Sequence, residues 1–276
     1  MIIQAPAAQG GGNARFVMRM IEHTTLAGRF ARVFGNTQFE PVRPRDVMLY
    51  MIDNHDRGWT AFDAAPEIDP ATGLPWNLVE TPAERIVATS AGSPDFNERH
   101  HAYAGLLSSM HSWGLYNGRY GLSDKVLIDS IGPEDRHLAD RMLAGELERQ
   151  ARLRTCLLED PATVAWLDEA TILQNYKQLQ FFDTLALYFN RVPEGDRTEA
   201  LFPHVPRSRD QDVTITVRPV AAATYALSPF PFEREGLHFE FEGRWIEPVT
   251  DGDLAGWMRR LAATPVASQA FTLVAG

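Results

Sequence analysis

Asp53-Asn54-His55-Asp56-Arg57-Gly58-Trp59 sets a histidine and an aspartate side by side at the end of a segment with helical periodicity. Met48, Ile52, His55 and Trp59 recur at helical spacing and share one face, and Leu49 and Ile52 lead to Asp56 in the same way. This spacing predicts two ligand-type side chains aimed inward, where water is scarce. A carboxylate buried there needs a charged partner or a cation. A metal ion would use both side chains at once. The dipeptide alone is a weak motif and gains meaning only from partners elsewhere in the chain.

Three other segments offer such partners. A first helix is predicted over about 22–34, with Leu26, Phe30 and Phe34 inward and Gly35-Asn36 as its stop. His23 stands at its start, on the side of Leu26, Ala27 and Phe30; taken alone it reads as a cap or a satisfied core residue before it reads as a ligand. The helix that opens near Arg43-Pro44 is expected to carry His55 and Asp56. Residues 97–117 read as one long helix in which Tyr103, Ala104, Leu107, His111 and Leu115 form an inward stripe. His100 and His101 fall in its exposed first turn, as a rim. His100 and His111 are separated by about 16 Å of helical rise, too far for one small centre to hold both. Residues 163–189 form a further helix with Tyr176, Leu179, Gln180, Asp183, Ala186, Leu187 and Asn190 on one stripe. Asp183 lies among Phe181, Phe182, Leu185 and Leu187, where a carboxylate needs either a hydrogen bond from a neighbouring helix end or a metal.

Composition narrows the class. The chain has 276 residues, 45% hydrophobic and 22% charged, enough for a full core. A formal charge of −10 argues against nonspecific binding to nucleic acid or anionic membrane. Lys125 and Lys177 are the only lysines; the arginines that replace them suit bidentate capture of phosphate or carboxylate. The single cysteine, Cys156, reads as structural rather than nucleophilic and precludes an intrachain disulfide. No uncharged apolar run reaches membrane-spanning length, and the start lacks a secretion signal, so a cytoplasmic location is expected.

The remaining segments complete an expected organisation. Strands are predicted at 1–4 and 14–20, joined through the glycines at 10–12 as a loose hairpin. Residues 60–80, with Pro66, Pro70, Gly73 and Pro75, read as an unusually long loop. Asp63 within it either orients a ligand histidine or caps a short turn. Helices are expected near 82–91 and over 133–158. After Asn190, strands are predicted at 213–217, 237–241 and 244–246, with Glu242-Gly243 as a hairpin turn, then a helix at 254–261 and a strand near 270–274. The expected fold class is mainly α: a single domain over 1–276, with a helical core at about 21–190 and a small antiparallel β-sheet from about 205–276, which 1–20 joins. No internal repeat or low-complexity tract is visible.

The order His23…His55-Asp56…His111…Asp183 resembles the HD superfamily of metal-dependent phosphohydrolases, whose metal is held by a first His, the His-Asp pair and a late Asp. The resemblance implies those roles for His23, His55, Asp56 and Asp183, an HD-like helical fold, and His111 as an additional ligand. Over nearly the whole chain, Asn54-His55-Asp56-x-Gly58-Trp59, Tyr103 to His111, Leu179 to Tyr188 and Pro229-Phe-Pro-Phe232 are similar to the family called domain of unknown function 3891. The second family carries no established reaction; the function the HD resemblance implies is hydrolysis of a phosphate ester or phosphoanhydride by a water activated on one or two divalent ions, Fe, Mn or Zn. Asp56 would act on that water while ligating, with Arg57 or Arg29 on phosphate; Asp63, Trp59, Gln180 and His101 would lie around the ligands. The rivals are a di-iron oxygenase acting on a small polyol or phosphonate, which needs a sixth protein ligand, and a non-enzymatic, metal-stabilised binding protein. The expected partner is a small phosphorylated molecule, not nucleic acid or membrane, with homodimerisation left open.

Overall fold

The computed structural model describes residues 1–5, 12–78, 80–248 and 254–276. Gly10 and Gly11 of the expected hairpin loop lie outside them. The helices are α1 (Met20–Val33), α2 (Arg45–Asp53), α3 (Thr60–Ala64), α4 (Ala83–Glu98), α5 (Ala102–Tyr116), the single turn α6 (Gly118–Gly121), α7 (Arg136–Leu158), α8 (Glu169–Arg191) and α9 (Leu254–Ala263). The strands are β1 (Ile2–Ile3), β2 (Arg15–Met18), β3 (Ile68–Asp69), β4 (Leu74–Pro75), β5 (Ala200–Ser208), β6 (Gln211–Ala221), β7 (Thr224–Ser228), β8 (Leu237–Ile246) and β9 (Ala267–Ala275).

Strand β8 has the clearest pleat. Leu237, Phe239 and Phe241 are buried while His238, Glu240 and Glu242 between them are exposed, the period of a sheet with one wet face. That apolar face receives two helices. Phe30 of α1 meets Phe239 edge-on at 4.7 Å, and Phe189 of α8 stacks on Phe271 of β9 at 3.7 Å. α1 and α8 pack on each other, α2 lies on α1, α5 touches α2 and α8, and α4 and α7 cover α5. The order from one side to the other is thus sheet, α1 with α8, α2 with α5, then α4 with α7. One continuous core cluster runs from the sheet through these helices.

The expected mainly α, HD-like fold with a small antiparallel sheet does not hold. Helix makes up 50% of the described residues and strand 21%, most of the strand in a curled seven-stranded sheet ordered β1-β2-β8-β9-β7-β6-β5. The sheet is mixed, because β7 and β9 run parallel. Its size was hidden by β5, in which Pro203, Pro206 and the positive φ of His204 (59°) coincide with breaks in the pairing to β6, so no alternation is legible. The expected hairpin turn at Glu242-Gly243 is absent: β8 runs through it, pairing Glu242 with Ser268 and Gly243 with Ala267. Glycine is required there because a Cβ would lie 2.5 Å from the Phe16 ring of neighbouring β2.

Three helical expectations also change. α2 stops at Asp53, so His55 and Asp56 sit in the turn that follows and not on the helix. The helix predicted over 97–117 is broken between α4 and α5. The backbone turns extended at His101 (φ −159°), whose Nδ1 accepts from the Tyr103 N–H and caps α5. Gly105 lets α5 fold back closely on Glu98. The supposed loop at 60–80 holds α3 and the β3–β4 hairpin. Among the described residues, no helix is long and apolar enough to cross a membrane.

The helix–sheet junction gives a stability prediction. Phe30→Ala empties the centre of this aromatic cluster and should cost about 3–5 kcal/mol in denaturant unfolding. Leu201→Ala, at a side chain 64% exposed on β5, should stay within about 0.5 kcal/mol.

Candidate metal centre

The face of α8 that looks away from the sheet carries Gln180, Asp183 and Asn190, three polar residues on one helical stripe, all buried. Each addresses a histidine. Asn190 Oδ1 is 3.1 Å from His23 Nδ1, the Gln180 amide is 2.9 Å from His111 Nδ1, and Asp183 Oδ1 lies 3.3 Å from His23 Nε2 and 3.8 Å from His55 Nε2. His23 comes from α1 and His111 from the middle of α5, as their inward stripes predict.

His55 and Asp56 are placed by a clamped turn. The carbonyl of Asn54 accepts from Asn97 Nδ2 at 2.9 Å, and the Gly58 N–H donates to Ser93 Oγ at 3.0 Å; both partners are on α4. Gly58 lies so close to α4 that a Cβ would be 2.0 Å from the Thr89 carbonyl oxygen. Between these two anchors His55 turns fully inward, its Nδ1–H donating to the Ile52 carbonyl at 2.8 Å. Its Nε2 then faces Asp56 Oδ2 at 3.7 Å. His111 Nε2 approaches the other Asp56 oxygen at 3.9 Å.

This arrangement suits a cation. Among the described residues, His23, His55 and Asp56 offer ligand atoms all within 4.8 Å of one another. Donors at about 2.1 Å from a tetrahedral ion would stand about 3.4 Å apart, close to the separations of 3.3–3.9 Å found here. The Nε2 atoms of His23 and His55 are buried without a hydrogen-bond partner. Their Nδ1 positions are each held by an oxygen, which fixes the ring and leaves Nε2 toward the centre, the usual support of a ligating histidine. At His111 it is the Gln180 amide nitrogen that faces Nδ1, at 2.9 Å, while Gln180 Oε1 is buried without a partner; only an amide turned end for end would hold His111 as the other two rings are held.

The charges agree. Burial lowers the affinity of His55 for a proton, but Asp56 and Asp183 outweigh it and raise the pKa to about 9. Burial also pushes Asp183 up, yet His23, His55 and the Arg119 guanidinium hold it well below the usual carboxylate range. His111 falls to about 4, chiefly by burial, and is neutral. Buried Asp183 and partly exposed Asp56 thus draw a proton onto His55, and a divalent ion would take that proton's place.

Several residues expected around the ligands lie elsewhere. The Arg57 guanidinium rests over the Phe96 ring at 5.0 Å, and Arg29 donates to the Glu240 carbonyl at 2.8 Å. Trp59 packs edge-on against Phe62 in the core. Asp63 accepts from the Met20 N–H at 2.5 Å and pairs with the Met1 amino group at 3.0 Å, so it orients no histidine. His101 caps α5, and His100 stacks on Tyr50. Arg119, whose Nη2 lies 3.4 Å from Asp183 Oδ2, was not singled out in the sequence. Its signal was the glycine-bracketed run Gly118-Arg119-Tyr120-Gly121. Asn190 was visible on the stripe but had no role assigned.

The family model described as "Protein of unknown function (DUF3891)" matches residues 11–248, and the chain belongs to that family. Neither the curated proteins nor the solved structures yield a match.

The clamped turn predicts that glycine is irreplaceable at one position and expendable at another. Gly58→Ala forces the turn off α4 and should lower stability by more than about 2 kcal/mol. Gly145→Ala, where a Cβ on α7 meets nothing within 4 Å, should raise it by about 0.5–1 kcal/mol. Thermal melts of both variants check the pair.

Proposed function

We propose that this member of a family of unknown function is a metal-dependent hydrolase of phosphate esters or phosphoanhydrides. The observation that carries the reading is the pair of buried, unpartnered Nε2 atoms of His23 and His55, set against Asp56 and Asp183. Buried imidazoles that face carboxylates at 3.3–3.8 Å without a well-formed hydrogen bond are costly, and a shared cation removes the cost. His23, His55, Asp56 and Asp183 would hold one divalent ion, zinc, manganese or iron, with His111 beside it. Such an ion supplies a Lewis acid that lowers the pKa of a water and polarises a phosphoryl oxygen.

Asp56 does the proton work. Its side chain is 17% exposed, whereas those of His23 and His55 are fully buried, so it faces incoming water and substrate. As the water oxygen bonds to phosphorus, Asp56 takes one of the water's protons. The phosphorus–oxygen bond to the leaving group breaks, and Asp56 returns the proton to the departing oxygen. Phosphate and an alcohol, or a second phosphate, leave. The ligand order His, His-Asp, Asp supports this chemistry by its likeness to the HD phosphohydrolases, although the sheet-based fold departs from theirs. The di-iron oxygenase reading loses ground because neither His100 nor His101 reaches the cluster as a sixth ligand.

The test is metal content and turnover together. Protein purified without a chelator should carry about one divalent ion per chain and hydrolyse p-nitrophenyl phosphate; chelation should abolish the activity and manganese should restore it. His55→Ala and Asp183→Ala should each lose the ion, and Asp183→Ala should lose about 3–5 kcal/mol of stability. Unchanged metal content in either variant contradicts the proposed ligand set.

A further inference from the structure

We infer that Arg119, presented on a left-handed turn, binds a phosphoryl oxygen of the substrate at the edge of the His–Asp cluster. The inference rests on the hydrolase reading and adds to it the group that recognises the anion.

The turn is unusual in its backbone. Gly118, Arg119, Tyr120 and Gly121 have φ of 64°, 52°, 58° and 83°, four consecutive left-handed residues of which two carry side chains. A side-chain-bearing residue is held there only against a steric penalty, and such strain persists where surrounding contacts impose it, most often at functional sites. The contacts are present. The Tyr120 ring is wedged between Trp113 at 4.9 Å and Tyr176 at 5.1 Å. Asn117 ties the end of α5 by donating to the Trp113 carbonyl at 2.9 Å, and the Ser123 N–H closes the turn on the Gly118 carbonyl at 3.1 Å. The turn is thereby fixed to α5, which also carries His111.

What the turn delivers is a guanidinium with spare donors. The Arg119 guanidinium makes one hydrogen bond among the described residues, to Asp183 at 3.4 Å. That is longer than the roughly 2.7–2.9 Å of a firm charge-assisted bond, and its other N–H groups are free for a ligand. Asp56 and Arg119, 17% and 18% exposed, are the partly exposed members of a cluster whose other side chains are at most 4% exposed. These two are the side chains of the cluster that solvent reaches, and in this reading Asp56 serves the reacting phosphorus and Arg119 its oxygens. Guanidinium matches phosphate geometry with paired N–H donors. Arg57 and Arg29, the other candidates for this role, are spent on Phe96 and Glu240.

The experiment uses the full chain loaded with manganese(II), titrated with inorganic phosphate by calorimetry, as wild type, Arg119→Gly and Arg119→Lys. Glycine adopts the left-handed conformation without penalty, so Arg119→Gly removes the guanidinium and keeps the turn. Expected are unchanged manganese uptake in both variants and phosphate binding weakened about tenfold or more in Arg119→Gly, with Arg119→Lys intermediate. Phosphate binding that matches wild type in a manganese-loaded Arg119→Gly protein overturns this inference and leaves the metal reading standing. Loss of manganese itself in Arg119→Gly also overturns it, because Arg119 would then serve the cation site. A wild-type chain that takes up no manganese overturns the hydrolase reading and this inference with it.

Discussion

The charge on Asp183 is the constraint to which the helical layers are built. Its carboxylate is almost fully buried, yet it is held ionised by groups from three separate elements: His23 on α1, His55 in the turn after α2, and Arg119 on the left-handed turn after α5. A buried charge is tolerated only where its partners are fixed. Each partner is accordingly fixed by a second contact on its far side: Asn190 behind His23, the Ile52 carbonyl behind His55, and the wedged Tyr120 beside Arg119. Elements distant in sequence are in this way drawn to one point.

The sheet gives that point its rigidity. α1 and α8 are two-sided helices. Phe30 and Phe189 press one side onto the aromatic face of β8 and β9, while His23 and Asp183 look the opposite way. A site built on packed helices over a seven-stranded sheet keeps its donor spacing better than one hung on loops. The exceptions are the two turns that bring His55-Asp56 and Arg119. The first is held by close backbone approach at Gly58, and the second, strained at Gly118–Gly121, by the contacts of Tyr120 with Trp113 and Tyr176.

The residues of the cluster were legible because they break a pattern: a histidine or aspartate inside an apolar helical stripe, as at His23, His111 and Asp183, is conspicuous against its neighbours. His55 and Asp56 were found for a partly wrong reason, since helical periodicity was extended past the end of α2 and a turn achieves the same inward aim. Arg119 was missed because the glycine-bracketed run marks a turn without saying that the two residues between the glycines will be left-handed. The sheet was underestimated where prolines and a positive φ erase the alternation of β5, and Gly243 was taken for a turn because its close contact with Phe16 spans residues far apart in sequence. The break at His101 was invisible because the cap is a histidine, a residue with no strong capping preference.

The most direct measurement is zinc K-edge X-ray absorption on the protein loaded with one equivalent of zinc. Nitrogen and oxygen donors at about 2.0–2.1 Å, with the outer-shell scattering of at least two imidazoles, are predicted. An all-oxygen shell lacking imidazole scattering, or zinc that does not stay with the protein, would contradict a metal held by His23, His55, Asp56 and Asp183.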